Sequence, residues 1–342
     1  MGVNLSGLVE PRNVELSELR GRTVAVDAYN TIYQFLSIIR QPDGTPLKDS
    51  RGRVTSHLSG LLYRTANLIE AGVEPTYVFD GRPHALKYDT IEGRKARREK
   101  AEREWEEAVE EGDLEKAFSK AQQTSRMTSD VLASSKGLLR ALGVPTVDAP
   151  GDGEAQGAYM CSRGDVWAAA SQDYDSLLFG APTLVRNVTV TGRRKVPGKN
   201  VYRDVGIEVI DSAESLAALG ITREQLVDVC ILMGTDFNPG IPGIGPKKGL
   251  KLIKEHGSLE RALERMGSEI EEAEEVRDIF LHGEYCDGYD LRPGCVDRDA
   301  VLGIMTDHDF SPDRVSSALE RMESSRKAEA ARRRQKSLDC WF

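Results

Sequence analysis

Aromatic residues are scarce in this sequence, 6% of 342 positions, and the residues that staple or metallate small domains are scarcer still. The five cysteines (Cys161, Cys230, Cys286, Cys295, Cys340) are odd in number, scattered and free of Cys-x-x-Cys spacing. That excludes a disulfide framework and a zinc site and indicates a reducing compartment. The five histidines have no ligand spacing and read as surface or core residues. No apolar run approaches the roughly 18 residues of a membrane-spanning helix, and no signal-peptide core is seen. Secretion and membrane insertion are therefore set aside, and a cytoplasmic location with no membrane partner is expected. No internal repeat is seen. What is present is a polar globular composition, 39% apolar and 30% charged, long enough for about two domains.

The net charge of -9 argues against a polyanionic partner, but its distribution does not. Residues 186–203 carry six bases (Arg186, Arg193, Arg194, Lys195, Lys199, Arg203) and no acid. Residues 82–103 carry eight bases against four acids, and residues 104–115 then hold seven acids and no base. Such segregation makes local positive faces, which a polyanion feels within a Debye length. Solvated helix surface explains any single run equally well.

Several strand-length apolar runs end in a carboxylate. Thr23 to Val26 leads into Asp27, Thr76 to Phe79 into Asp80, and Val166 to Ser171 through Gln172 into Asp173 and Asp175. Helical patterns lie between them, at Ser56 to Ala71 and Ser129 to Leu142. This alternation predicts an α/β fold with a mostly parallel central sheet flanked by helices, whose ligand site lies beyond the carboxyl ends of the strands. Residues 84–128 are rich in Glu, Lys and Arg and predict one or two exposed helices inserted between sheet elements, with Trp105 as anchor. Past Ile221 the chain reads as helical, with helices over 221–233 and 246–256. Residues 323–336 have no apolar face and predict a mobile or weakly helical tail.

Asp27, Asp80, Asp152, Glu154, Asp173, Asp175 and Asp236 converge at one sheet edge if the strands are neighbours. Like charges held that close require cations to neutralise them, and oxygen-only ligands suit Mg²⁺ or Mn²⁺ and phosphate chemistry. Each aspartate alone reads first as a turn former or helix cap; it is the repeated placement after apolar runs that points to a shared site. Gly243-Ile244-Gly245-Pro246-Lys247-Lys248 opens a helix, letting main-chain N–H groups approach a phosphate while lysines add charge. Between two helices it reads as a helix-hairpin-helix element that grips a DNA backbone without reading bases.

Val-Asp27-Ala, Phe79-Asp80-Gly81-Arg82-Pro83, the Asp152/Glu154 segment, Asp173-Tyr174-Asp175 and Gly234-Thr235-Asp236 occur in order before Gly243-Ile244-Gly245-Pro246. With them the sequence resembles the structure-specific 5′ nucleases, most closely flap endonucleases of archaeal type. The resemblance runs from Gly2 to about Gly257 and resumes in the last eight residues. It implies two Mg²⁺ ions, replaceable by Mn²⁺, on the seven acids, with Lys87 and Arg94 directed at the scissile phosphate. It further implies a helical arch over 84–128 that passes the 5′ strand, Tyr33 stacked on a nucleotide, a free Gly2 amine close to DNA, and Arg40 and Arg64 near the duplex. A monovalent cation (K⁺) would sit at the 234–245 loop. One departure stands out: the family has two glutamates where this chain has Asp152 and Glu154. Aspartate is one methylene shorter, so its oxygen falls about 1.5 Å short of a metal, a gap a water can bridge.

The implied organisation is a nuclease region over 1–98 and 129–236, the inserted arch, the hairpin element over 221–257, a C-terminal helical region over 258–322 and a tail over 323–342. The tail ends in a box, 335–342, in which Gln335 is followed by Leu338, Trp341 and Phe342, which form one apolar face at helical spacing. It resembles the box by which replication proteins bind a sliding clamp of the proliferating-cell-nuclear-antigen type. The reading expected is a monomeric, Mg²⁺-dependent enzyme of replication and repair that cuts 5′-flap DNA endonucleolytically and degrades 5′ ends. Exonuclease and junction-resolving relatives share the motifs. Two other classes stay open: a haloacid-dehalogenase-like phosphotransferase, which would need its Asp-x-Asp near the N-terminus, and a non-catalytic DNA and clamp adaptor.

Overall fold

The structure, a computed structural model, describes residues 2–189, 192–195 and 202–339. Strands β1 (Arg12–Val14) and β2 (Thr23–Asp27) lead to helices α1 (Ala28–Ile38) and α2 (Ser56–Glu70), then to β3 (Glu74–Phe79). The inserted segment forms α3 (Tyr88–Glu110) and α4 (Leu114–Ala121). The alternation resumes with α5 (Ser129–Ala141), β4 (Thr146–Asp148), α6 (Gly153–Ser162), β5 (Ala168–Ala170), α7 (Asp175–Leu178) and β6 (Thr183–Arg186). A separate antiparallel ribbon pairs β7 (Gly192–Lys195) with β8 (Tyr202–Val205), and β9 (Ile207–Asp211) returns to the main sheet. Seven helices follow: α8 (Ser212–Leu219), α9 (Arg223–Met233), α10 (Pro246–His256), α11 (Leu259–Met266), α12 (Ala273–Leu281), α13 (Arg298–Asp307) and α14 (Pro312–Asp339).

The main sheet has seven strands in the order β1-β9-β6-β5-β2-β3-β4. The pairings among β6, β5, β2, β3 and β4 are parallel, and β9 adds antiparallel to β6 and to β1. Central β2 is buried on both faces: Val24 and Val26 enter one core, Ala25 the other, so the strand reads as a continuous apolar run. Its register places Asp27 opposite Val78 of β3 and Val26 opposite Ala170 of β5. The chain therefore leaves β2, β3 and β5 at one edge, where Asp27, Asp80 and Asp173 follow.

One core lies under α1, α2 and α5 and takes in Val301, Met305, Val315, Leu319 and Met322 from α13 and α14. A second joins α7, α9, α10, α11 and α12 around Leu177, Cys230, Ile253 and Phe280. The stretch expected as one helical region over 258–322 thus divides between the two cores. Residues 323–336 require a correction: they are not a loose tail but continue α14. Ser325 donates from Oγ to Ile69 O at 2.9 Å, and the half-buried Arg326 side chain pairs with Glu74 at 3.5 Å. Single polar anchors at Ser325, Arg326 and Glu329, which pairs with Arg20, stand in for the missing apolar face. Among the described residues no helix is long and apolar enough to cross a membrane.

Candidate active site

Asp27 closes β2 and caps α1, accepting from Asn30 N at 2.9 Å. Asp80 follows β3 and accepts from Gly153 N at 2.7 Å, which ties the β3 edge to the start of α6. Ser171, just past β5, donates from Oγ toward Asp27 Oδ2 (3.1 Å) and Glu154 Oε1 (2.9 Å). Asn30 reaches Asp173 Oδ2 at 3.0 Å, and the main-chain N–H of Val3 reaches Asp175 Oδ1 at 2.7 Å. A side chain on Gly2 would strike Asp175, its Cβ 2.4 Å from Oδ2, so the bare N-terminal main chain fits there as glycine. Asp236 lies in the loop after α9, and Thr90 donates to its carbonyl at 2.9 Å.

Burial and mutual repulsion control this cluster. Burial first, then Asp80, with Asp173 adding, push Asp27 up to about 8 against the hydrogen bonds from Asn30 and Ser171. Asp175 rises to about 7 through burial and Asp173, offset by the Val3 N–H. Asp80 rises to about 6, chiefly through burial, while the Gly153 N–H pulls the other way. Burial together with Asp175, Asp27 and Asp173 holds Glu154 well above the usual carboxylate range. Carboxylates held against their own charge, as Asp27, Asp80, Glu154 and Asp175 are, suit hard divalent cations. As they stand, no group of three or more acid, His or Cys side chains among the described residues closes round a single ion-sized point.

Two bases of the inserted segment meet the cluster. Lys87 Nζ lies 2.5 Å from Asp152 Oδ1 and 4.7 Å from the centre of the Phe237 ring. Burial opposes its charge, but Asp152, Glu154 and Asp236 outweigh that and raise its pKa. Arg94 places one guanidinium nitrogen 2.7 and 2.6 Å from the two oxygens of Asp236.

The other expected residues sort by position. Tyr33 is exposed on α1 near the cluster's cap. Arg40, expected beside a duplex, instead donates to Leu36 O and Gly44 O (both 2.8 Å) and to Ser125 Oγ at 3.0 Å, pinning the descending limb of the inserted segment. Trp105 is an anchor as expected, donating from Nε1 to Asp43 O at 3.0 Å. Arg64 lies half-buried on α2. The loop between α9 and α10 is closed by Gly234 and Gly240, both at positive φ (94° and 68°). A Cβ on Gly240 would lie 2.2 Å from Gly234 N. Gly245 caps α10, Pro246 begins it, and Lys247 and Lys248 are exposed. Lys254 instead bonds Leu219 O at 2.8 Å. In the terminal box, Gln335 is exposed, while Trp341, Phe342 and the Leu338 side chain lie outside the described residues, as do residues 190–191 and 196–201 of the basic run and the side chains of Arg193, Arg194, Lys195 and Arg203.

Sequence reasoning missed Ser171, Asn30 and Phe237. Ser171 had a readable signal, its place at a strand end two residues before Asp173. Phe237, whose ring packs against Phe280 of α12 as well as under Lys87, had none.

Comparison with known proteins follows the same layout. The XPG N-terminal domain model matches residues 1–101 and the XPG I-region model residues 143–236. The chain is 49% identical over 343 residues to flap endonuclease 1 of Methanosarcina barkeri, covering all of both chains. It superposes on the solved flap endonuclease-1 of Methanococcus jannaschii with a TM-score of 0.76 and 37% identity, covering 95% of this chain and 98% of that one. The catalytic core of Rad2, solved in complex with DNA substrate, shares the fold at a TM-score of 0.66 and 24% identity, covering 91% of this chain and 96% of that one.

Proposed function

The chain belongs to the flap endonuclease family, and from that membership we propose how its carboxylate cluster cuts DNA. It is a structure-specific flap endonuclease, a hydrolase of phosphodiester bonds in DNA that serves replication and repair, and its family depends on divalent metal. The acids Asp27, Asp80, Asp152, Glu154, Asp173, Asp175 and Asp236 would hold two Mg²⁺ ions, with Mn²⁺ able to substitute. Such ions supply a water nucleophile at neutral pH and neutralise the charge of the phosphate under attack. The observation that carries this reading is the half-buried, mutually repelling cluster around buried Asp175, which a scaffold without cations has no reason to keep.

Within this reading Lys87 and Arg94 hold protonated donors beside the scissile phosphate and stabilise the charge that develops on it. Their present carboxylate partners keep both cations at the cluster. Tyr33 would stack on the nucleotide beside the cut, and the Gly2 amine would lie close to the DNA. Helices α3 and α4 would form the arch that passes the 5′ strand. The main chain of Gly243 and Gly245, with Lys247 and Lys248, would grip the duplex backbone without reading sequence, with a monovalent cation such as K⁺ at the 234–245 loop. Arg64, and Arg40 if its arch contacts release, would lie near the duplex. The terminal box, Gln335, Leu338, Trp341 and Phe342, would dock on a sliding clamp, with the enzyme itself monomeric.

Labelled 5′-flap, hairpin, nicked and single-stranded DNA test the assignment. Cleavage concentrated near the flap base and dependent on Mg²⁺ supports it; equal cutting of all four, or no cutting with Mg²⁺, overturns it. Phosphatase turnover on a small ester would revive the phosphotransferase reading.

A further inference from the structure

Helix α6 carries two of the proposed metal-holding acids, Asp152 at its N-cap and Glu154 on its first turn, and is gripped from outside by a strap, residues 282–297, that joins α12 to α13. The grip is made by Gln156, a fully buried amide in the body of the helix. Its Nε2 donates to Cys286 O at 3.0 Å and its Oε1 accepts from Cys286 N at 2.8 Å, so both ends of the side chain pair with one residue's main chain. The same residue's own N–H closes the first turn on Asp152 O at 3.1 Å. A turn later, Tyr159 stacks on Tyr285 with ring centres 3.7 Å apart and planes 10° apart, and its hydroxyl bonds Asp287. Farther along, Tyr289 bonds Asp165 Oδ2 at 2.6 Å, and Gly294 and Asp297 bond the main chain at Gly143 and Ala141.

A buried amide satisfied at both ends is costly to break, because each orphaned partner is left without water. The pairing therefore holds α6 at one distance from the strap, and through the first turn it holds Asp152 and Glu154 against Lys87 and Ser171. The strap continues from α12, whose Phe280 packs under Phe237, so the DNA-gripping helices and the acid-bearing helix share this connection. We propose that Gln156 is a positioning residue for the divalent-metal site, acting through the main chain of Cys286. The inference rests on the metal reading above.

Gln156→Met keeps the length of the side chain and removes both hydrogen bonds. In the full chain, Mn²⁺ alone is titrated by electron paramagnetic resonance without DNA. Flap binding is measured with Ca²⁺, and cleavage is followed across Mg²⁺ concentrations. The expected result is Mn²⁺ affinity weaker by about 10-fold or more, the size typical of residues that orient metal ligands. Flap binding should stay within a few-fold of wild type, and the Mg²⁺ needed for half-maximal cleavage should rise while the rate at saturation recovers. A folded variant with unchanged Mn²⁺ affinity, or one slowed equally at every Mg²⁺ concentration, overturns the proposal. If Gln156→Met does not fold, Tyr285→Ala decides: it strips an exposed ring from the same strap and should weaken Mn²⁺ binding in the same direction, and no change overturns the proposal. A wild-type chain that binds no Mn²⁺ overturns the metal reading itself, and this inference with it.

Discussion

Lys87 and Asp152 meet at 2.5 Å across 65 residues of sequence, and the ammonium of that pair is the positive charge most deeply set in the carboxylate cluster. The pair ties the start of the inserted segment to the N-cap of α6, where Asp152 stands. If Lys87 steadies charge in the transition state, Lys87→Ala lowers single-turnover cleavage by about 100-fold or more, as loss of a transition-state donor does. Flap affinity changes little. Equal losses of affinity and rate would assign Lys87 to DNA binding instead.

Asp175 is held by the Val3 N–H and lies among the buried acids. Asp175→Ala should leave flap binding within a few-fold of wild type and abolish cleavage. Unchanged cleavage would refute the metal assignment.

The raised acids also make stability depend on pH and metal. Asp27, Asp175 and Asp80 titrate near 8, 7 and 6 in the folded chain against an ordinary 3.8. The folded state binds more protons than the unfolded one, so their contribution is full below the ordinary value and is lost as pH rises through 6 to 8. Buried His57 has the opposite sign: burial lowers it to about 4, and its contribution is lost as pH falls below its ordinary 6.5. The gain in melting temperature on adding Mg²⁺ isolates the acids, and it should grow between about pH 5.5 and 8.5. A gain that is flat or shrinks across that range would be inconsistent with ions held by this cluster.

Arg40→Ala removes hydrogen bonds to Gly44 and Ser125 that join the loop after α1 to the end of the inserted segment. Amide exchange over residues 117–125 should accelerate by about tenfold, equivalent to roughly 1.4 kcal/mol of lost local stability. Unaltered exchange there would show that Trp105 and the packing of α4 hold the segment without it.

Ser325, Arg326 and Glu329 tie α14 to the fold, Glu329 through Arg20 at 3.9 Å, and the terminal box begins six residues later at the exposed Gln335. Trp341→Ala combined with Phe342→Ala should weaken clamp binding by well over tenfold, since buried aromatic anchors each contribute about 2 kcal/mol. Deleting Gln335 to Phe342 should leave flap cutting without the clamp intact and remove its stimulation by the clamp. Loss of cleavage in the absence of clamp would assign the box to the fold.

Local chemistry made much of this legible along the chain. Apolar runs ending at Asp27 and Asp80 mark strands buried on both faces, because such strands cannot alternate and must end where the chain meets water. The helix from Pro246 to His256 was equally plain, since Gly245, Pro246 and the left-handed Gly257 mark its ends with backbone stereochemistry alone. The tail was misread for a complementary reason. Residues 323–336 lack an apolar stripe, and a helix held by Ser325 and Arg326 shows no hydrophobic period.

The sequence by itself determined which residues could do chemistry and where the sheet would deliver them. Carboxylates at strand ends, a glycine-bounded turn and a basic insertion each follow from neighbours within a few positions. The tertiary structure alone decided which charges face one another and what holds them there. Lys87 found Asp152, Arg94 found Asp236, Arg40 joined the loop after α1 to the end of the inserted segment, and Gln156 clasped a strap 130 residues away. Contacts at that separation are settled by packing in three dimensions, and they leave no periodicity in the chain from which to read them.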